Sequence, residues 1–269
     1  MNGEILLEPA SIILVFILVG FAAFFFAPLG LGGGLLFVPI LHYVAGWEIT
    51  PVTLLTSLIL TAAVSWASGI KHRSEGLYDD DLTKMALYGA IPGALIGAFL
   101  VNIIENNLDF AFKVVSLAML AYAIIRMRKR LTQEELSQDV EESQNRGMIT
   151  LGSGLGGMTS AFLAVGGGAI YIPVLDRFST ASTREIVGAS YGIMMWTVPI
   201  VIIAHAVLFN GEWHDLWMIL TLPICVFIMA NLGAKFGFKL KDKTIISTFL
   251  VVVLVVFIRY CIDISGYLM

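Results

Sequence analysis

The chain has 269 residues, 58% of them hydrophobic and only 13% charged, with a formal net charge of −4 and a mean hydropathy of +0.88. A water-soluble domain carries about twice that charged fraction, so the composition excludes one and points to a multi-pass protein of a lipid bilayer. No segment is basic and aromatic enough to take nucleic acid as a partner. The two cysteines, Cys225 and Cys261, lie in separate apolar segments and read as small buried hydrophobes rather than a disulfide.

Residues 10–46 form an apolar block broken by Pro28 and the glycines at 30–34. As one helix the block would be ~55 Å long, against a ~30 Å hydrocarbon core, so it must be two pieces. The second piece, 35–45, is too short to span alone, and the pattern predicts a hairpin of two helices meeting at the glycines and returning to its own side. Thr50-Pro51 is an N-cap with proline at the first helical position and opens a helix to about residue 70, ended by Lys71, His72 and Arg73. Asp81 is the expected cap of a third helix over 82–104, with Gly89, Gly93 and Gly97 on one face. A fourth is expected over 108–125, followed by Arg126, Arg128, Lys129 and Arg130. Residues 131–146, rich in acidic side chains, read as a cytoplasmic linker between a first membrane repeat (1–130) and a second (147–269). The second repeats the order: a broken block over 147–178, a helix opened by the Ser182/Glu185 capping box, then helices over 213–235 and 244–262. Trp47, Trp66, Trp213 and Trp217 stand near segment ends, where an aromatic belt would lie.

The break itself is duplicated. Gly30-Leu31-Gly32-Gly33-Gly34-Leu35-Leu36-Phe37-Val38-Pro39-Ile40-Leu41 returns as Ala164-Val165-Gly166-Gly167-Gly168-Ala169-Ile170-Tyr171-Ile172-Pro173-Val174-Leu175, at an offset of 134 residues. Irregular backbone is costly in lipid unless it lines a cavity or packs against protein, and its occurrence once per half is the mark of a transporter built from repeats. If the N-terminus is outside and each broken block returns to its own side, all but two of the 16 basic residues, Lys113 and Arg259, lie inside. The expected fold is therefore all-α and polytopic: two inverted repeats, each a glycine-broken re-entrant hairpin plus three transmembrane helices, in the cell membrane with both termini extracytoplasmic.

After each glycine run a short helix begins. Its first N–H groups have no partner within the helix and carry the positive end of the dipole. Two such ends facing each other make a site for a small anion with no buried cation. The candidate contacts are Gly32, Gly33, Gly34 and Leu35 in the first copy and Gly166, Gly167, Gly168 and Ala169 in the second. Thr56, Ser57 and Ser190 are added from the polar stripes of the following helices. His72 and His205 are candidates for coupling. Lys113, inside the fourth helix, is expected to snorkel outward. Residues 188–192 match the spacing of a hydrolase nucleophile elbow, but that motif needs a strand-to-helix turn and this stretch reads as helix. No enzyme, cofactor or metal motif is found, and no ATP-binding motif, so transport would draw on gradients. The Gly89/Gly93/Gly97 face is expected to pack within the protomer, and the oligomeric state is left as monomer or homodimer.

The Gly-x-Gly-Gly-Gly-x-x-x-x-Pro-x-Leu pattern at 30–41, Thr56-Ser57-Leu58, and Gly166-Gly167-Gly168 through Leu175 resemble the TauE/SafE family of sulfite exporters, within the sulfonate-uptake permease superfamily. Gly188-Ala189-Ser190 stands where that family often has Gly-Thr-Ser, with Ala189 in place of threonine. Val165 is read as replacing the first glycine of the second run. The resemblance covers essentially the whole chain. It implies a secondary transporter, an exporter, of a small sulfur-containing anion such as sulfite or an organosulfonate. An anion channel using the same site is the alternative.

Overall fold

A computed structural model describes residues 9–104, 107–132, 144–208, 215–237 and 242–268. The N-terminal eight residues, most of the expected linker, Trp213, Lys239 and Lys241 lie outside the described residues. The described residues form ten α-helices: α1 (Pro9–Phe26), α2 (Gly34–Tyr43), α3 (Pro51–Ser74), α4 (Asp80–Ile103), α5 (Leu108–Thr132), α6 (Arg146–Leu163), α7 (Gly168–Phe178), α8 (Thr183–Leu208), α9 (Leu216–Gly237) and α10 (Asp242–Leu268). Seven segments are long and apolar enough to cross a membrane, in α1, α3, α4, α5, α8, α9 and α10. The short helices α2 and α7, of 10 and 11 residues, reach ~15 Å, half a bilayer core.

Local chemistry explains most boundaries. Thr50 and Pro51 open α3 as expected. Ser182 and Glu185 make their capping box, with the Ser182 N–H donating to Glu185 Oε2 at 2.7 Å. The cap of α4 is Asp79 rather than Asp81. Its Oδ1 accepts from the N–H groups of Asp81 and Leu82, both at 2.9 Å, so the first of three consecutive aspartates that can reach two orphan donors takes the position. Helix α5 runs on through the basic cluster to Thr132, because Arg and Lys are good helix formers and nothing breaks the turn.

The two halves interlock by exchanging partners. α1 packs on α9 and α6 on α4, so each broken hairpin lies on the third long helix of the other half. α3 and α8 cross at the centre, and each also packs on that helix of the other half, α3 on α9 and α8 on α4. Small residues allow the close approaches. A Cβ on Gly89 would overlap the Thr150 carbonyl, one on Gly93 the Gly154 carbonyl, and one on Gly97 the Met158 carbonyl. The glycine face of α4 is thus used inside the protomer, as expected. Gly233 does the same for α9 against the Phe24 carbonyl. α5 and α10 pair with each other at the edge.

Contacts sort the helix ends into two levels. At one, the Asn145 N–H donates to the Phe178 carbonyl at 3.0 Å, so the hairpin of α6 and α7 begins and ends together. The same level holds the Arg126–Asp176 ion pair at 2.9 Å, the Thr150–Met85 contact, and the α3–α4 turn, whose Leu77 carbonyl lies against Gly188. At the other, Tyr43 at the end of α2 meets Asp263 near the end of α10, and Asp263 pairs with Lys113, itself paired with Asp109, near the start of α5. Trp66 and Trp217 are exposed on the apolar surface, whereas Trp47 is buried. Both cysteines are free thiols; Cys225 is half-buried and Cys261 exposed, not buried as expected.

Candidate functional site

The glycine loops 30–33 and 164–167 share one backbone course. Gly30, Gly32, Gly33, Gly166 and Gly167 all have φ between 73 and 80°, in the left-handed region. The place of Gly30 is taken in the second copy by Ala164, the one non-glycine residue of positive φ among the described residues, at 53°. Val165 therefore answers to Leu31, both being buried, and does not replace a glycine. The cost of holding Ala164 there is about 1 kcal/mol. Gly33 and Gly167 are the N-caps of α2 and α7, and no side chain caps either helix. The N–H groups of Gly34 and Leu35, and of Gly168 and Ala169, are thus the orphan donors of two helix starts.

The two loops are pressed together, backbone to backbone. A Cβ on Gly34 would lie 2.5 Å from the Ala164 carbonyl oxygen, and one on Gly168 would overlap the Gly30 carbonyl and lie 3.0 Å from Leu31 Cα. Ser57 donates across the halves to the Ala164 carbonyl at 3.0 Å, and Ser190 donates to the Gly30 carbonyl at 3.0 Å. Every one of these contacts has its counterpart with the halves exchanged. Aromatic rings back the caps: Phe37 stands by Gly33 and Tyr171 by Gly167. Tyr191 lies with its hydroxyl 2.7 Å from the Ala27 carbonyl and so holds the tip of the first hairpin.

This geometry assigns the polar residues. A serine hydroxyl has one proton, and those of Ser57 and Ser190 are spent on loop carbonyls. Thr56 likewise donates to Val52 O of its own helix, at 2.9 Å. In this arrangement the three hold the loops and α3 in place. His72 and His205 are buried. His72 Nδ1 is 2.9 Å from the Ser68 carbonyl, with its ring 5.5 Å from that of Tyr191. His205 Nε2 is 3.1 Å from the Ala161 carbonyl in the last turn of α6. His205 thus touches the second hairpin directly, whereas His72 is linked to the first through Tyr191.

Two residues outside the expected set occupy the centre. Thr61 and Met194 each face both loops: Cβ atoms on Gly32 and Gly166 would lie 3.3 and 2.6 Å from Thr61 Cγ2, and 3.0 and 2.9 Å from Met194 Sδ. Both are fully buried, and Thr61 Oγ1 has no hydrogen-bond partner. The sequence signal was there: each lies four residues after its half's serine, Ser57 or Ser190, on the same helix face.

A second polar cluster lies away from the glycines. Lys113 is buried rather than snorkelling, and donates to Asp109 Oδ2 at 3.0 Å and pairs with Asp263 Oδ2 at 3.2 Å. Tyr43 donates to the same Asp263 oxygen at 2.6 Å, and Arg259 lies 3.7 Å from the other. Tyr267 donates to Asp109. Two aspartates within reach of one ammonium keep it in the protein, so the long stem has no reason to extend to the interface. Among the described residues, no three His, Cys, Asp or Glu side chains group as a metal site would require.

The family model for the sulfite exporter TauE/SafE matches residues 15–260. The chain belongs to the TauE/SafE family. Two proteins named probable membrane transporter protein, from Xylella fastidiosa strain 9a5c and strain Temecula1 / ATCC 700964, are each 27% identical over 175 residues. That stretch is 64% of this chain and spans 64% of the length of each relative. No solved structure gives a significant match. The TauE/SafE chain described here is thus a member of a membrane-transporter family. Residues 188–192, the elbow-like run, are interior to α8.

Proposed function

We propose that the chain is a secondary carrier, working as an exporter, for a small sulfur-containing anion bound between the N-termini of α2 and α7. The observation that carries the reading is the pair of uncapped, glycine-started helices brought together with reciprocal contacts at the centre of the bundle. The closed centre favours a carrier over a channel. With the loops in backbone contact no open path runs between them, and passage requires the halves to move. Binding at the two-fold centre would let such motion present the same site to either side. The family name supports a sulfur oxyanion as cargo. The inverted arrangement of the repeats is supported by the exchange of contacts between halves and by the basic helix ends gathered at one level.

Proteoliposomes test the transport reading. Sulfite loaded inside should exchange with external sulfite, and flux should saturate; ohmic single-channel currents would favour the channel. The end of the bundle carrying Arg126, Arg146 and Arg184 is proposed to face the cytoplasm of the cell membrane, with both termini outside. In a Cys225→Ser/Cys261→Ser background, which removes the two native thiols, a Ser137→Cys variant should then react with an impermeant thiol reagent in inside-out vesicles and not in intact cells. Labelling in intact cells would reverse the orientation.

A further inference from the structure

The structure assigns an anion contact outside the glycine backbone, the hydroxyl of Tyr171 at the start of α7, an inference that rests on the carrier reading above. Tyr171 is the fourth residue of α7. Side chains on a helix lean back toward its N-terminus, so the ring lies along the first turn with its hydroxyl end foremost. The contacts agree. A Cβ on the cap residue Gly167 would lie 2.7 Å from Tyr171 Cζ, the carbon that bears the hydroxyl, and 2.7 Å from Cε2. The opposite flank of the ring lies against Gly156 of α6. The hydroxyl therefore stands at the end of α7 where the N–H groups of Gly168 and Ala169 have no partner in the helix.

That hydroxyl is fully buried and has no hydrogen-bond partner. Thr197 of α8 is the polar group beside it, but it lies beyond hydrogen-bond distance and donates its own proton to the Ile193 carbonyl at 2.9 Å. Other buried hydroxyls among the described residues also lack a partner: Thr61, Ser68, Ser153, Ser160 and Tyr260. The serines and the threonine differ in kind. Each sits inside a helix, where rotation about one bond reaches the carbonyl four residues earlier, as Thr56, Ser65 and Thr197 do. A phenol oxygen is a ring's length from its own backbone and has no such recourse. Tyr260 packs with Tyr43 and Phe112 in the α5–α10 cluster, away from the glycine loops.

The first half supplies the comparison. Phe37 holds the matching place in α2, 134 residues earlier, and its Cζ likewise lies 2.7 Å from where a Cβ on the cap residue Gly33 would be. Packing the cap thus asks for a ring and not for a hydroxyl. The extra oxygen of Tyr171, buried without a partner, opposes folding. An anion oxygen at the start of α7 would accept from it alongside the backbone N–H groups, in a charge-assisted hydrogen bond. The cargo that fits is an oxyanion, with an oxygen directed at α7 rather than shared equally between the two helix starts.

Thermal melting of the full-length protein in detergent tests this. The probes are methanesulfonate and sulfite, titrated against gluconate at matched ionic strength, so that the rise in melting temperature gives an affinity. Tyr171→Phe, which copies Phe37, should weaken the binding of whichever probe stabilises the wild type about tenfold, as expected for losing a hydrogen bond to a charged group. Exchange in proteoliposomes should show the same loss as a raised half-saturation concentration. Without anion, the melting temperature of Tyr171→Phe should equal or exceed that of the wild type, because the hydroxyl removed has no partner in the protein. Wild-type affinity and half-saturation in Tyr171→Phe overturn the inference and leave the carrier reading intact. A melting temperature that falls in the absence of anion makes the hydroxyl a structural partner and overturns the inference as well. If neither anion stabilises the wild-type protein and neither exchanges in proteoliposomes, the carrier reading fails and this inference fails with it.

Discussion

Gly34→Ala and Gly168→Ala should each abolish anion transport and destabilise the fold by about 3 kcal/mol, the upper range for overpacking a close-packed interior. Each adds one methyl group, and that methyl meets backbone rather than a side chain that could turn aside. At Gly34 it lies 2.5 Å from the Ala164 carbonyl, and at Gly168 it overlaps the Gly30 carbonyl. The loops can relieve the overlap only by separating. Separation breaks the Ser57–Ala164 and Ser190–Gly30 hydrogen bonds and moves the helix starts apart. Denaturation in detergent gives the stability change, and sulfite exchange in proteoliposomes gives the activity. Ala164→Gly is the control, since glycine suits the left-handed backbone already present there and the carbonyl that Ser57 bonds is kept. Wild-type stability and flux in Gly168→Ala would show that the loops are not in contact in the working protein.

Lys113→Met should cost about 3 kcal/mol while leaving the anion response of the remaining folded protein unchanged. The substitution keeps most of the side-chain volume and removes the charge, so Asp109 and Asp263 are left facing each other without the ammonium between them. Breaking a buried ion pair from one side costs about 3–5 kcal/mol, and the partial exposure of Asp109 places this case at the low end. Asp263→Asn should be milder, because Asn can still accept from Tyr43 and the Lys113–Asp109 pair survives. Unfolding curves with and without methanesulfonate separate the two effects. A lost anion response in Lys113→Met at unchanged stability would relocate the binding site to the α5–α10 cluster.

That cluster shows where reading from sequence stopped. Lys113 is a cation inside an apolar helix, and the expectation of snorkelling leaves out the aspartate one turn before it. Its partners are Asp109, one turn away, and Asp263, on the last helix, and nothing local announces the second. Ser57 and Ser190 show the same limit in another form. Their position near the glycine loops was legible from the doubled motif, yet whether a hydroxyl faces a ligand or a carbonyl depends on the other half of the chain.

Taken alone, the sequence determined what is local. Composition required a membrane protein, the duplicated glycine runs required two broken hairpins, and caps such as Thr50-Pro51 and Ser182/Glu185 marked where helices start. These follow from backbone sterics, helix-end hydrogen bonding and hydrocarbon thickness, each of which acts within a few residues. The tertiary structure alone decided which helices pair. Apolar helices have little preference among apolar neighbours in lipid, so the exchange of α1 onto α9 and α6 onto α4 rests on the match of small residues to facing carbonyls. That exchange brings residues 30–34 and 164–168 into contact, commits the serine protons, and leaves Thr61 and Met194 at the centre.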